Sequence, residues 1–319
     1  MSRYARQIAV SGDAAQARLA AAQVLVVGAG GLAAPVLQYL AGAGVGAIRL
    51  VDPDRVALSN LHRQTLFRMA DIGHPKATAA AAHLAGLNPD CRVEPVLHAL
   101  DPANVAALCC GITLVLDCAD SFAVSYTLSD HCMAHGLPLV AASVTGCEGY
   151  AGGFCGGSPS LRAVFPDLPA RAASCAETGV LGPVVGIVGT LQAQMAFAVL
   201  AGLGPSPLGQ LVTVDGLRIG GFRFDSAPEP AWQPRFIAAA TIGPDDFIVD
   251  LRGADEAPLI RPDAMRLSVT AFGPGGPRPK PGQRAVLCCR SGLRAFAAAE
   301  RLHAVWDGPI TLVTLGDPA

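Results

Sequence analysis

The sequence has little net charge and lacks a targeting segment. Its formal net charge is −2 over 319 residues, so neither a nucleic acid nor another polyanion is implied as a partner. The first residues, Met1 to Arg6, lack the apolar core of a secretory signal peptide. Because ten cysteines occur without such a signal, we expect free thiols in a reducing compartment, the cytoplasm.

Closely spaced cysteine pairs are missing as well. No Cys-x-x-Cys pair occurs in the sequence, although structural zinc sites normally take their thiolates from such pairs. We therefore expect no zinc in this protein.

Charged residues are absent from Gly179 to Val214. An apolar run of that length raises the possibility of a membrane span. However, the breaks Gly182-Pro183 and Gly204-Pro205 fall within it. A buried helix from about Val184 to Leu200 explains the run better, and we expect no membrane partner.

Residues 24–52 organise the first part of the chain. An apolar run is followed by Gly28, Gly30 and Gly31, a helical pattern, a second apolar run and Asp52. Glycines let the backbone approach a phosphate, which the N–H groups of a helix N-terminus favour. An acid at this offset can bond ribose hydroxyls. The pattern predicts a nucleotide with a ribose, either NAD or ATP; a strand–helix–strand turn without a ligand is the alternative.

The remaining pattern predicts an α/β protein with a Rossmann-like, doubly wound, mostly parallel sheet and an added antiparallel part. Asp117–Ser121 follow an apolar strand, at the edge where such sheets bind ligands. The segment Gly156–Thr178, which contains Cys175, has a length typical of functional or mobile loops. The other predicted elements are a helical arm over 4–19, helices over 76–87 and 122–135, and strands over 91–96, 113–117, 139–143, 149–155, 211–214 and 218–224.

The length is sufficient for two domains. We assign residues 1–228 to the first domain and 241–319 to a small second α/β unit. The polar, proline-rich stretch Asp225–Pro234 is typical of a linker, and we place the linker at 229–240. The second unit is predicted to contain strands over 247–251, 285–288 and 310–315 and a helix over 293–303.

Six sequence blocks follow one another in the first domain. They are Arg3-Tyr4-Ala5-Arg6-Gln7, Gly28-Ala29-Gly30-Gly31-Leu32 with Asp52, Ser59-Asn60-Leu61-His62-Arg63-Gln64-Thr65, Gly73-His74-Pro75-Lys76, Asp117-Cys118-Ala119-Asp120 and Cys175-Ala176-Glu177-Thr178-Gly179-Val180. In this order, the stretch from Tyr4 to about Phe224 resembles the ubiquitin-activating-type superfamily. Its nearest likeness is to the ThiF, MoeB and HesA-type adenylyltransferases, which act on sulfur-carrier proteins in molybdopterin and thiazole synthesis.

The resemblance implies an adenylation, in which a carboxylate joins the α-phosphate of ATP and pyrophosphate leaves. Cations and Mg²⁺ must then surround the phosphates. It implies that Asp120 holds Mg²⁺ and that Arg63 and Lys76 act beside it. Surface charges for Arg63 and Lys76, and a helix N-cap for Asp120, are the structural alternatives. The residues implied to bind ATP are Arg6, Gly28, Gly30, Gly31, Asp52, Asp54, Ser59, Asn60, Arg63, Gln64, Lys76, Asp120 and Ser121.

The same resemblance implies particular partners. The substrate would be a ubiquitin-like sulfur-carrier protein that ends in Gly-Gly and becomes an acyl-adenylate. The enzyme would be a homodimer in which Arg6 of one subunit completes the ATP site of the other. In related enzymes the cysteine of the mobile loop, here Cys175, is not needed for adenylation but can form a link with the sulfurated carrier.

The second unit resembles a rhodanese domain, through Asp250-Leu251-Arg252 and the loop Cys289-Arg290-Ser291-Gly292-Leu293-Arg294. A loop that closes on a helix N-terminus aims several N–H groups at one point, and two arginines add positive charge. Both favour a thiolate at Cys289 that accepts and passes on a persulfide sulfur, supplied by a cysteine desulfurase or another donor. Cys288 should face the opposite side of the sheet. A buried core thiol is the alternative for Cys289.

Both resemblances are incomplete. Zinc-bearing members have Cys-x-x-Cys near Ser160–Ala163 and a second pair after the last strand, where this chain has DSAPEPAWQP. The usual asparagine after the magnesium aspartate is Ser121 here. The second unit is short between Asp255 and Gln283, and the sequence ends at Ala319 before the expected last helix. We therefore expect a shortened rhodanese-like domain.

Two other function classes remain alternatives. An NAD-dependent oxidoreductase would share the glycine turn, but it would leave Arg63, Lys76 and Asp120 together unexplained. A non-catalytic module could keep the fold and bind a carrier without modifying it. Molybdopterin, thiazole and tRNA-thiolation routes share this machinery, so the sequence does not indicate the pathway.

Overall fold

The larger of two sheets in this computed structural model, which describes residues 3–168 and 179–316, has eight strands. They are β1 Gln23–Val27, β2 Ala47–Val51, β3 Arg92–Val96, β4 Leu114–Asp117, β5 Pro138–Thr145, β6 Glu148–Cys155, β7 Gln210–Asp215 and β8 Arg218–Arg223. Their order is β3-β2-β1-β4-β5-β6-β7-β8. The pairs from β3 to β5 are parallel, and those from β5 to β8 are antiparallel. The predicted doubly wound sheet with an antiparallel part is therefore confirmed.

Helices pack on both faces of this sheet. Successive residues of a strand face opposite sides, so Val24 and Val26 of β1 join one buried cluster while Leu25 and Val27 join another. Four apolar residues in a row are what a strand covered on both faces requires. The helices of this part are α1 Ala5–Ser11, α2 Asp13–Ala21, α3 Ala33–Gly42, α4 Lys76–Leu87, α5 Val105–Leu108, α6 Phe122–His135, α7 Leu161–Val164 and α8 Gly182–Ala201.

Predicted and observed helices differ mainly at the N-terminus. Helices α4 and α6 have the predicted ranges. The predicted single arm over 4–19 is instead two helices, α1 and α2, which meet at Gly12. Gly12 has φ +82°, a conformation that interrupts a right-handed helix.

Helix α8 covers the range predicted for a buried helix, and its buried residues lie mainly on one face. Its length and composition alone would allow it to cross a membrane, but 56% of its apolar window is buried inside the protein. Val184, Val188 and Gln192 are buried, whereas Thr190 and Gln194 are exposed. The apolar composition conceals this division because the exposed face is itself poor in charge.

The chain changes direction across the sheet between β1 and β4. It passes from β1 to β2 and β3 on one side, then returns to β4 and β5 on the other. Val27 pairs with Asp117 in the β1–β4 register, so the C-terminal ends of the two strands lie side by side. Open α/β sheets bind ligands in the crevice at such a point.

A second sheet of five parallel strands follows. Its strands are β9 Arg235–Phe236, β10 Phe247–Asp250, β11 Met265–Arg266, β12 Ala285–Cys289 and β13 Ile310–Thr314, and helix α9 spans Leu293–His303. The order is β11-β10-β12-β13-β9. Three strands and the helix were predicted. The two-residue edge strands β9 and β11 were not, because so short a segment shows no periodicity.

The segment predicted as a linker is part of the packed structure. Strand β9 lies inside the range 229–240 and belongs to the second sheet. The Trp232 ring stacks on the His303 ring, with 4.0 Å between centroids. Ala123 and Tyr126 of α6 join the buried cluster of the second sheet, together with Phe236. Helix α6 therefore packs against the buried clusters of both sheets, and 229–240 is not a free spacer.

Candidate active site

Backbone packing requires two of the three predicted glycines. Gly28 has φ +92°, and a Cβ there would lie 2.7 Å from the carbonyl oxygen of Cys118. A Cβ at Gly31 would lie 2.6 Å from Cγ1 of Val185 on α8. Since β4 and α8 approach so closely, these glycines are needed whether or not a phosphate binds.

Asp52 fastens the glycine turn to the end of β2. Its Oδ2 accepts the N–H of Ala29 at 2.6 Å, and its Oδ1 accepts the N–H of Asp54 at 2.8 Å. Burial raises the pKa of this carboxyl, and the two N–H donors and Lys76 oppose that rise. Each oxygen keeps a second lone pair, so the carboxylate can still accept a ribose hydroxyl, as predicted for Asp52.

Lys76 is a buried cation beside this turn. It is 6% exposed, which rules out the alternative of a surface charge. Its Nζ lies 2.8 Å from Oδ2 of Asp54, whose side chain is 65% exposed. The ammonium therefore faces the site opening, where an incoming phosphate can compete with Asp54 for it.

Gln64 contains an unsatisfied acceptor next to the glycines. It is 4% exposed, and its Oε1 has no hydrogen-bond partner among the described residues. A Cβ on Gly30 would lie 3.7 Å from its Nε2. An unpaired buried acceptor costs about 1–3 kcal/mol, so Oε1 indicates a donor supplied by a ligand. ATP has both hydroxyl and amino donors, and the residues present fit it.

Arg63 follows the short 3₁₀ helix Leu58–Asn60, which includes Ser59 and Asn60. It is partly exposed, unlike Lys76. Its Nη1 donates to the Ser59 carbonyl at 3.2 Å and contacts Nε2 of His62 at 2.8 Å. Within the described part of the chain, the hydrogen bonds recorded for this guanidinium involve Nη1 alone. Nε and Nη2 are left for an anionic ligand.

The strand end at β4 carries two acids with opposite environments. Asp117 is 1% exposed, and burial raises its pKa to about 6 although the Ser125 hydroxyl and the Ala119 N–H lower it. Asp120 is exposed, and the N-cap of α6 is Ser121. The alternative role of Asp120 as a helix N-cap is therefore wrong. An exposed carboxylate at the switch point provides the hard oxygen ligand that Mg²⁺ prefers.

Gln192 was not predicted as part of the site. It is fully buried on α8, and its Nε2 donates to the carbonyls of Asp117 at 2.7 Å and Val140 at 3.1 Å. Its Oε1 lies 3.3 Å from Sγ of Cys118. The side chain thus connects the end of β4 to the interior of β5 beside the glycine turn. A glutamine within an otherwise apolar helix was the signal that could have revealed it.

The described residues contain no group of three or more His, Cys, Asp or Glu side chains able to hold a metal ion. Asp120 would therefore share Mg²⁺ with phosphate oxygens and water, which is the usual way proteins bind it. The absence of zinc stays a prediction.

A polar cluster connects Ser160–Ala163 to the DSAPEPAWQP stretch, the two segments where the zinc-bearing adenylyltransferases have cysteine pairs. Arg162 is 4% exposed, and it donates to both carboxylate oxygens of Asp130 at 2.6 and 2.9 Å. It also donates to Oε1 of Gln233 at 2.8 Å. Ser160 donates through its N–H and hydroxyl to Glu229 at 2.7 and 2.6 Å. We call these five residues the Arg162 cluster; it ties α7 to α6 and to the segment before β9.

The cysteine loop of the second unit has the predicted N–H donors. Sγ of Cys289 accepts the N–H of Gly292 at 3.1 Å and of Ala295 at 3.3 Å. Gly292 has φ +92°, and a Cβ there would lie 2.8 Å from the Phe236 ring. Cys288 belongs to the buried cluster on the other face, as predicted, and burial raises its pKa to about 12.

The arginines of this loop differ from the prediction. Both were expected to act on Cys289, but Arg294 donates through Nη1 and Nη2 to Glu256 at 2.7 and 2.8 Å. Its charge is therefore matched by a carboxylate. Arg290 and Ser291 are exposed, whereas Leu293 is buried at the start of α9.

Two further predicted residues, Arg6 and Cys175, have roles that the structure does not test. Arg6 is exposed on α1, so its role in a partner's ATP site stays a prediction. Cys175 lies outside the described residues.

Comparison with known proteins follows the division between the two sheets. The model of the ThiF family matches residues 4–232. The SAMP-activating enzyme E1 of Haloferax volcanii is 42% identical over 221 residues, 68% of this chain and 82% of that protein. The molybdopterin-synthase adenylyltransferase of Escherichia coli is 41% identical over 222 residues, 68% of this chain and 89% of that protein.

A longer relative and solved structures extend this likeness. The adenylyltransferase and sulfurtransferase MOCS3 of Bos taurus is 46% identical over 226 residues, which are 69% of this chain and 50% of that protein. The crystal structure of E. coli MccB with ATP superposes with a TM-score of 0.62 at 19% identity, over 72% of this chain and 73% of that one. At such low identity this superposition supports the fold alone.

Proposed function

Because the chain belongs to the ThiF family, we propose that it is an ATP-dependent adenylyltransferase of the cytoplasm. Its substrate is a ubiquitin-like sulfur-carrier protein, and the group activated is the C-terminal glycine carboxylate of a Gly-Gly end. The main observation in support is the buried ammonium of Lys76 beside the glycine turn, at the switch point of the sheet.

The chemistry accounts for these residue types. The carrier carboxylate attacks the α-phosphorus, the bond to the β-phosphate breaks, and pyrophosphate leaves with the electron pair. Charge builds up on phosphate oxygens, so preorganised cations and donors lower the barrier. In this proposal Lys76, Arg63 and Asn60 bind the phosphates, while Asp52 and Gln64 orient the nucleoside. Magnesium held by Asp120 would neutralise phosphate charge.

A homodimer is the assembly we propose. A groove of about 940 Å³ runs along the exposed faces of α3 and α8 and reaches Gly31 and Arg63. Tyr39 in this groove is 61% exposed. A second copy that covers the groove would bring an N-terminal arm, with Arg6, near the ATP site.

We further propose that Cys289 supplies sulfur to the activated carrier. Its persulfide sulfur attacks the acyl-adenylate carbonyl and expels AMP, giving an acyl disulfide. A second thiol, Cys175 or a small cellular thiol, then attacks the Cys289 sulfur of that disulfide and releases the thiocarboxylate. The convergent N–H groups of Gly292 and Ala295 support this role, since they stabilise negative charge on sulfur.

ATP–pyrophosphate exchange tests the adenylation. We expect exchange that depends on a carrier ending in Gly-Gly and stops when the last glycine is removed. Exchange without any carrier, or none with any Gly-Gly-ended carrier, would contradict the proposal. An NAD-dependent oxidoreductase would instead bind the dinucleotide and show no exchange.

A further inference from the structure

The cysteine loop of the second unit contains an internal anion. Both terminal nitrogens of Arg294 donate to the carboxylate of Glu256. Glu256 lies in the loop after β10, and its side chain is 36% exposed, against 39% for Arg294. The pair is therefore open to solvent, while Cys289 beneath the same loop is completely buried.

This anion interacts with both arginines of the loop. The hydrogen bonds of Arg294, then the N–H of Gly253 and the charges of Arg294 and Arg290, hold the pKa of Glu256 at about 2. Arg294 in turn is influenced by the charge of Cys289. The carboxylate is therefore negative at every working pH, and it is bound to Arg294, the residue before Ala295, whose N–H donates to Sγ of Cys289.

Sulfur donors differ in the charge that they bring to this place. Thiosulfate is a dianion whose sulfonate oxygens need cationic partners. A cysteine persulfide presents its sulfur without an oxyanion. Because Glu256 already occupies Arg294, an oxyanion there would meet a like charge and find its cationic partner engaged.

We propose that Glu256 is the residue that sets donor specificity, excluding oxyanion donors from Cys289 in favour of a persulfide sulfur carried by a cysteine. The inference rests on the proposed sulfur transfer at Cys289. The allowed step is attack of the Cys289 thiolate on the outer sulfur of the persulfide. A new S–S bond forms, the old one breaks, and the donor leaves as a thiolate with the electron pair.

The excluded step, sulfur transfer from thiosulfate, also forms one S–S bond and breaks one. The Cys289 thiolate would attack the sulfane sulfur of thiosulfate, the bond to the sulfonate sulfur would break, and sulfite would leave with the electron pair. Neither step requires an external oxidant or reductant. The two donors differ only in the leaving group and its charge, which is the property that Glu256 senses.

The test compares Glu256→Gln with a matched control in the full-length chain. Glutamine keeps the size of the side chain and removes its charge. The control is Asp263→Asn, because Asp263 forms a similar two-bond pair with Arg261 at 2.6 and 2.9 Å in the same unit. Mass spectrometry measures the rate of persulfide formation on Cys289 from thiosulfate and, separately, from a cysteine persulfide. Circular dichroism checks the fold, and Glu256→Ala repeats the measurement with a smaller side chain.

We expect wild type to load from the persulfide at least about tenfold faster than from thiosulfate, the scale of a like-charge contact. Glu256→Gln should speed loading from thiosulfate about tenfold and leave loading from the persulfide unchanged, while Asp263→Asn changes neither. Equal use of both donors by wild type, an unchanged donor ratio in both Glu256 variants, or loss of both rates in them would overturn the inference. If wild type loads from neither donor while carrier-dependent pyrophosphate exchange is normal, sulfur transfer at Cys289 itself is wrong and the inference fails with it.

Discussion

In each sheet a candidate site residue, Asp120 or Cys289, lies where a strand connects to the following helix, but the two side chains differ in burial. In the larger sheet, β4 ends at Asp117, and Asp120 lies between this strand and α6. In the smaller sheet, β12 ends at Cys289, and its loop leads into α9. Asp120 is exposed, whereas Cys289 is completely buried.

The difference suits the roles proposed for the two groups. A carboxylate that binds a hydrated cation and phosphates must meet solvent, because burial favours the neutral form, as it does for the neighbouring Asp117, whose pKa it raises to about 6. A sulfur anion is large and weakly hydrated, so two N–H donors can stabilise it away from water. In both sheets the connection from a strand to a helix sets the position of the side chain. The hydration that its charged form requires is consistent with how far it is buried.

The exposed side of the comparison is tested by Asp120→Ala. We expect carrier-dependent pyrophosphate exchange to fall by about 10³-fold, as when one preorganised electrostatic group is removed, with an unchanged circular dichroism spectrum. Asp13→Ala is the control, because Asp13 is an exposed acid in the first turn of α2. Normal exchange in Asp120→Ala would remove this residue from the site.

The role of the buried Cys289 is tested by Cys289→Ala. The control is Cys288→Ala, because Cys288 is the adjacent cysteine on the opposite face of the sheet. Cys289→Ala should keep pyrophosphate exchange but lose thiocarboxylate formation, because the carrier is activated and receives no sulfur. Cys288→Ala should keep both reactions. The readout is the mass of the carrier after incubation with ATP and a sulfur donor. Thiocarboxylate at the wild-type rate in Cys289→Ala would show that the second unit is not the sulfur source.

The third test concerns the junction between the two sheets. Arg162→Met should lower the free energy of unfolding by about 3–5 kcal/mol, because it leaves Asp130 as a largely buried unpaired charge. Arg223→Met should give no measurable change, since the Arg223–Asp225 pair is about half exposed. Urea denaturation measures both. If Arg162→Met is as stable as wild type, the Arg162 cluster does not hold this junction. One zinc per chain by elemental analysis would contradict the separate prediction of no zinc and would mean that Cys and His from distant positions form a metal site.

The smallest effect expected is a partial rescue across subunits. Arg6→Ala and Lys76→Ala should each be weak in pyrophosphate exchange. After mixing and subunit exchange, part of the activity should return, because a hybrid dimer keeps one complete ATP site. Absence of rescue, once native mass spectrometry has shown the hybrid, would mean that Arg6 does not act across the dimer.

Some predictions depended on local pattern alone and agree with the structure. The ranges of α4, α6 and α9 follow from helical periodicity, and the placement of Asp52 and Asp120 follows from the ends of apolar strands. Helix α1 and strands β9 and β11 depend on single glycines or on tertiary pairing. Gln192 was not predicted because its partners, the carbonyls of Asp117 and Val140, lie on strands distant in sequence.

Chain order and residue type alone determined the strand–turn–helix units, the doubly wound sheet and the opposite faces of Cys288 and Cys289. These features depend on neighbours a few positions apart, where periodicity and backbone geometry dominate. Only the tertiary structure decided that Lys76 is buried, that Gln64 has an unpaired acceptor, and that β9, within 229–240, belongs to the second sheet. It also paired Glu256 with Arg294, 38 positions apart. Such contacts depend on how distant segments meet, and charge and hydrogen bonding there are set by burial, which no local pattern encodes.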